Sequence, residues 1–266
     1  MRAAGFGIGG AAGLALLFGG GTAMAHTSFL WPSIFSAGEQ KVITLQAAFG
    51  ETHFFRPEVP VTSDDFHLYR PDGSRDAYDR IETFQQTTIL ESDLSEPGTY
   101  RFTTGLRLGR RGTHVLKDGV WTPLAPGETP PPGAKVETSQ TATVADVYVT
   151  KGAPTDGVLR TQVGPLAFRL GAHPSAIYAE DPLTVDVLFD GLPLAGVAVE
   201  VDREGGDYET PRFKQSLTTD GEGRVTLTFD RPGVYLIMTR HRATAPEGAA
   251  TDQRGYTTSL TFEVTP

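Results

Sequence analysis

Leu183-Thr184-Val185-Asp186-Val187-Leu188-Phe189-Asp190-Gly191 decides how the rest of the chain reads. Leu183, Val185, Val187 and Phe189 recur at every second position, so an extended strand places all four on one face. Asp190-Gly191 then supplies two residues that tolerate positive φ, the chemistry of a tight hairpin turn. The pattern repeats downstream. Val197, Val199 and Val201 alternate with Glu200 and Asp202. Val225, Leu227 and Phe229 alternate with Thr226 and Thr228, after the turn residues Asp220-Gly221-Glu222-Gly223. Pro232-Gly233 leads into Val234–His241, and Thr257–Val264 closes the chain. Short strands at this spacing, with no helical period, predict an antiparallel Greek-key sandwich of immunoglobulin type over residues 165–266.

The upstream half reads as β too. Lys41–Phe49, Phe66–Tyr69, Thr87–Leu90 and Gly98–Gly105 are short, rich in β-branched and aromatic residues, and bounded by Pro, Gly and Asp. Tyr100 and Phe102 alternate with Arg101 and Thr103, which predicts a half-buried strand. Asp118-Gly119 between His114–Lys117 and Val120–Thr122 predicts a two-residue hairpin. Leu124–Gly133 holds four prolines and predicts a surface loop. Thr141–Lys151 returns to strand, and Gly152–Gly164 reads as a join. The expected organisation is all-β: a leader at 1–25, a first β-sandwich at 26–164 and a second at 165–266.

The leader is read from Arg2, the apolar run Ala11–Phe18 and the small residues of Ala23-Met24-Ala25. The run is short of the roughly 20 apolar residues a membrane span needs, so the expectation is a cleaved Sec-type signal, periplasmic release and no span after processing. Cysteine is absent, which removes disulfides, a lipid-bearing cysteine and thiolate metal ligands. Loss of the leader removes one positive charge and takes the formal net charge from −9 to −10. An acidic chain of this kind is not expected to bind nucleic acid. The sequence also lacks a Gly-Xaa-Ser-Xaa-Gly elbow, a phosphate loop and a dinucleotide fingerprint, so no enzymatic activity is expected.

Several phrases, taken in order, resemble a known family. They are Ala25-His26 with Trp31-Pro32-Ser33, Pro71-Asp72-Gly73, Gly98-Thr99-Tyr100-Arg101 and Val147–Thr155, followed by His173-Pro174, Asp190–Gly196, Thr219–Arg224, Pro232-Gly233-Val234-Tyr235 and Leu260–Val264. The chain resembles exported proteins that carry an uncharacterised domain, often labelled a periplasmic component of cobalt or nickel uptake systems. That resemblance implies a periplasmic location and a role with nickel or cobalt, with a membrane metal transporter as partner. The second half also resembles the small sandwich modules attached to carboxypeptidases and surface proteins, in which its Gly and Asp phrases are structural turns.

Cleavage after Ala25 would make His26 the first residue, offering an α-amine and an imidazole to one metal ion. Nitrogen donors suit nickel, cobalt, copper and zinc, and an α-amine, which ordinarily titrates near a pKa of about 8, is partly deprotonated near neutral pH. No His-Xaa-His or His-Xaa₃-His pair supplies further ligands. The remaining candidates are His53, within Glu51-Thr52-His53, His173 before Pro174, and His241 between Arg240 and Arg242. His67 is expected to face solvent or make a hydrogen bond, and His114 stands beside Arg110 and Arg111. The expected function is divalent transition-metal binding (nickel or cobalt, with copper or zinc as further options) through His26, in support of metal uptake. The alternative is an envelope adhesion or scaffold module that binds a protein or glycan without metal, and an N-terminal copper redox site is a third reading.

Overall fold

Alternating sequences of this kind can bury their apolar face only against another sheet. The structure is a computed structural model that describes residues 27–50, 55–125 and 127–266. In the first half the strands are β1 (Thr27–Pro32), β2 (Val42–Gly50), β3 (Val59–Pro60), β4 (His67–Tyr69), β5 (Arg75–Asp76), β6 (Arg80–Thr83), β7 (Thr88–Asp93), β8 (Gly98–Thr103), β9 (Arg107–Lys117), β10 (Val120–Pro123) and β11 (Val136–Lys151). The second half adds β12 (Leu166–Leu170), β13 (Leu183–Phe189), β14 (Leu192–Pro193), β15 (Ala198–Arg203), β16 (Gln215–Thr218), β17 (Arg224–Leu227), β18 (Gly233–Thr244) and β19 (Gln253–Val264). The helical content of the described residues is one 3₁₀ turn, Gly206–Tyr208. The fold is all-β, as the alternation predicted.

Three sheets result. One runs β1-β2-β7-β6, and β3 pairs with β2. A central sheet of ten strands runs β16-β15-β18-β19-β11-β8-β4-β5, and carries β9 and β10 beside β11. The third is β12-β13-β14, with β17 on β13. Every pairing between these strands is antiparallel except that of β11 with β19, which is parallel from Ser139↔Gln253 to Val147↔Thr261. An all-antiparallel sandwich was expected. Parallel neighbours need a long crossover, and here the segment from β12 to β18 is that crossover.

Side chains alternate across the central sheet, so its two faces meet different partners. Leu236, Thr261 and Val147 lie side by side on one face. That face packs against the β1 sheet: Leu30, Ile43, Leu45 and Leu90 meet Leu68, Tyr100, Phe102, Val147 and Val149. The same sheet reaches into the second half, where Phe29 and Ala48 pack with Leu236 and Met238. The opposite face presents Val199, Val201, Ile237 and Phe262 to Val185, Val187 and Leu227 of the β13 sheet. Each such side chain contributes about 1.5–3 kcal/mol on burial, and without disulfides these apolar contacts carry the stability. The β1 sheet and the β13 sheet therefore cover opposite faces of one central layer.

Each half also contains the same corner. Tyr100 donates its hydroxyl to the Glu96 carbonyl at 2.8 Å, and Tyr235 donates to the Arg231 carbonyl at 2.9 Å. In both, a tyrosine follows Pro-Gly-Xaa and bonds back four residues, the tyrosine corner of immunoglobulin-like sandwiches. Gly98 and Gly233 adopt φ of 132° and 148°, which explains the glycine two residues before each tyrosine.

Candidate functional site

The amino-terminal strand is the natural place to start. Its alternation buries Phe29 against Leu236 and Met238, while Trp31 packs edge-on against Phe55 at 3.9 Å between centroids. The strand is pinned from the central sheet, because the Ser259 hydroxyl donates to the Ser28 carbonyl at 2.6 Å. Its first described residue, Thr27, pairs with Gly50, and Arg240 Nη2 lies 3.5 Å from Thr27 Oγ1. Arg240 Nη1 in turn faces Glu200 Oε1 at 3.5 Å, and Lys214 Nζ holds Glu200 Oε2 at 3.0 Å. The surroundings of Thr27 are therefore a mixed-charge network with two cations on one carboxylate. His26 and His53 lie outside the described residues, as does the leader.

The described histidines have other occupations. The backbone N–H of Ser175 donates to His173 Nδ1 at 3.1 Å, so that nitrogen bears the lone pair. His173 Nε2 then carries the proton and donates to Thr99 Oγ1 at 3.1 Å, with the Thr155 carbonyl at 3.3 Å. Both ring nitrogens are used, and His173 clamps the second half onto the first. His241 lies edge-on to Phe189 at 4.6 Å, where burial pulls its pKa down. Strand alternation sends His241 to the face opposite Arg240 and Thr27. His114 pairs across the ladder with Glu137, which Arg242 engages; its pKa is lowered, by burial first and by Arg242 second. The structure does not bring His173 and His241 together. Among the described residues no group of three or more His, Asp or Glu side chains is placed to hold a metal ion.

One polar constellation escaped the sequence reading. Tyr69, Arg101 and Tyr148 occupy one row of the central sheet, and His67 and Asp146 share their face by alternation. This is the face that presents Ile237 and Leu260 to the β13 sheet in the second half. Here residues 152–164 cover it instead, with Val158 fully enclosed. Arg101, expected on a solvated face, is 4% exposed, and its Nη2 lies 2.5 Å from Asp146 Oδ2. Its Nη1 donates to the Thr161 carbonyl of the covering segment. Burial alone would depress the guanidinium, but the Asp146 carboxylate, together with Tyr148 and Tyr69, holds the pKa up. His67 is enclosed as well, with Nδ1 donating to the Asp65 carbonyl at 2.6 Å and Nε2 without a hydrogen-bond partner among the described residues. Desolvation lowers its pKa. The alternation of aromatic and polar residues in β8 gave no sign of a second cover, because the cover comes from a stretch without strand pattern.

Sheets stacked on both faces of a shared layer, with a tyrosine corner in each half, define an immunoglobulin-like β-sandwich protein. No described helix is long and apolar enough to cross a membrane. The chain belongs to the family described as a domain of unknown function, DUF4198, whose sequence profile matches residues 23–243. No curated protein matches it. Among solved structures, the D0-D1 domain of intimin is 13% identical over 89% of this chain and 97% of its own, at a TM-score of 0.24. An Escherichia coli alpha-2-macroglobulin activated by porcine elastase is 9% identical over 91% of this chain and 20% of its own, at 0.24. The chicken CNTN1 FN1-FN3 domains are 8% identical over 91% of this chain and 100% of their own, also at 0.24. At such scores these likenesses carry no inference, and the fold assignment stands on the sheet topology.

Proposed function

We propose that the chain is an exported, periplasmic, non-enzymatic protein that captures a divalent transition metal, nickel or cobalt, through its processed amino terminus and supports metal uptake. The observation that carries this reading is the Ala23-Met24-Ala25-His26 junction, which leads directly into β1 at Thr27. Cleavage there gives one residue with two nitrogen donors of the type these metals prefer. His173 is engaged through both ring nitrogens and His241 packs on Phe189, so the terminus acts as the primary grip on the ion. The resemblance to proteins labelled as cobalt or nickel uptake components supports the same reading. The test is titration of the mature protein with nickel beside a form bearing one extra residue ahead of His26. Tighter binding by the mature form is expected. Equal affinity in both, or dissociation constants weaker than about 1 mM, would remove the proposal.

A second reading has its own observation. Tyr208 is 76% exposed, and the Arg56 guanidinium lies over its ring at 5.0 Å. A presented aromatic face suits a protein or glycan partner in an envelope scaffold. Partner capture that persists in chelator and is lost in Tyr208→Ala would favour this reading over metal binding.

A further inference from the structure

Among the described residues three arginines are almost wholly buried: Arg101 at 4%, Arg203 at 4% and Arg254 at 6% exposure. Two have the partners that buried cations require. Arg101 faces Asp146, and Arg203 is held by Asp230 and Glu209. Arg254 differs. Among the described residues no hydrogen bond or ion pair engages its side chain, and its Nε is enclosed and bonded to nothing. A buried arginine ordinarily keeps a charged partner, so the third arginine is the outlier of the set.

The register shows what surrounds it. Arg254 pairs with Gln140 of β11, and Gln140 pairs with Arg111 of β9, so the three side chains occupy one row on one face. The row lies just past Tyr256, at the end of the core shared with the β13 sheet. Arg111 is exposed and has no ion pair among the described residues. Two strand spacings, roughly 10 Å, separate the two backbones, a gap that two arginine side chains leaning over Gln140 can close. The nearest carboxylate along β19, Asp252, is committed to the backbone N–H and hydroxyl of Thr138. Two cations thus stand in one row on one face of a chain of net charge −9, and the enclosed Nε of Arg254 has no partner among the described residues.

We propose that Arg254 and Arg111 form a binding site for an oxyanion, with Arg254 as the buried fork, Arg111 as the outer cation and Gln140, whose Nε2 also donates to the Gly109 carbonyl at 3.0 Å, between them. Planar guanidinium groups match the paired oxygens of phosphate and carboxylate, and the anion supplies the counter-charge that Arg254 lacks. The site is separate from the amino terminus and does not depend on metal binding.

The test is a titration of the mature, full-length protein with inorganic phosphate at constant ionic strength, followed by the Arg254 Nε–H resonance and by the melting temperature. Acetate and chloride arms and vesicles containing an anionic phospholipid run alongside. A phosphate-dependent shift of the Arg254 signal with a rise in melting temperature is expected. Arg254→Lys should weaken the response about tenfold, and Arg111→Gln several-fold, since each removes part of a charge-assisted pair. Arg111 is exposed, so its variant keeps the test valid even where Arg254 substitutions unfold the chain. Co-sedimentation with vesicles would assign the oxyanion to a lipid headgroup, and a response to free phosphate alone to a soluble ligand. An equal response to chloride, or none to any anion, overturns the proposal.

Discussion

Arg101 decides more than any other described residue in the first half. It ties two neighbouring strands of the central sheet together through Asp146 and holds the covering segment through Thr161. Arg101→Met leaves Asp146 buried without a counter-charge and should destabilise by about 3–5 kcal/mol in urea unfolding. Adding Asp146→Leu should recover much of that loss, because an apolar pair satisfies the same space. His67 sets a pH dependence. Its pKa in the folded protein is lowered from the ordinary 6.5, chiefly by burial, so the unfolded chain binds a proton more readily. Stability is therefore full above about pH 6.5 and falls as the pH drops from there towards the folded-state value. Urea midpoints at pH 7.5 and 5.5 should show this fall, and His67→Leu should reduce it, leaving the part contributed by His114 and His241, whose pKa values burial also lowers. At this scale the sequence was legible where a residue type carried its own chemistry. It was not legible for Arg101 and His67, whose burial is imposed by a segment far along the chain.

At the scale of elements, period two and turn chemistry carried most of the information. Asp118 and Gly119 adopt φ of 51° and 81°, and Asp190 and Gly191 adopt 50° and 78°, so both hairpins use the turn that their residues suggested. Boundaries moved where tertiary pairing extends a strand: β11 begins at Val136 rather than Thr141 because β9 pairs with it there. The repeated Pro-Gly-Xaa-Tyr phrase was present in the sequence, and its two copies mark the two tyrosine corners. The Gly152–Gly164 join held the larger surprise. It lies against the Pro71-Asp72-Gly73 turn so closely that a Cβ on Gly157 would meet the Pro71 carbonyl oxygen. Gly157→Ala should cost about 1–3 kcal/mol and increase proteolysis within 152–164, as the segment lifts from the sheet. Unchanged proteolysis would show that the turn yields instead.

For the whole molecule, composition and patterning identified an all-β sandwich, and the residues 26–164 and 165–266 largely supply separate apolar clusters. How the halves combine was hidden, because strand pairing between distant segments leaves no periodic trace in either one. The central sheet passes through both halves, and Phe29 of the first packs on Leu236 of the second. Thermal unfolding should therefore proceed in one transition, with calorimetric and van't Hoff enthalpies equal. Two resolved transitions would mean that the shared sheet does not couple the halves. The candidate site was legible only in its residue types. His26 was visible as a candidate donor, whereas the row formed by Arg111, Gln140 and Arg254 exists only after three strands are in register.

The parallel pairing of β11 with β19 also dictates an order of events in time. The chain is synthesised amino terminus first, and β11 is complete more than a hundred residues before its neighbour ends at Val264. Until then one edge of β11 stands open, with backbone N–H and carbonyl groups unpaired and available to any passing strand. Closing so long a loop is slow, and β19, made well after β11, is the strand that seals this edge. Nascent chains arrested short of β19 should associate through that edge, while synthesis of Gln253–Val264 ends the exposure.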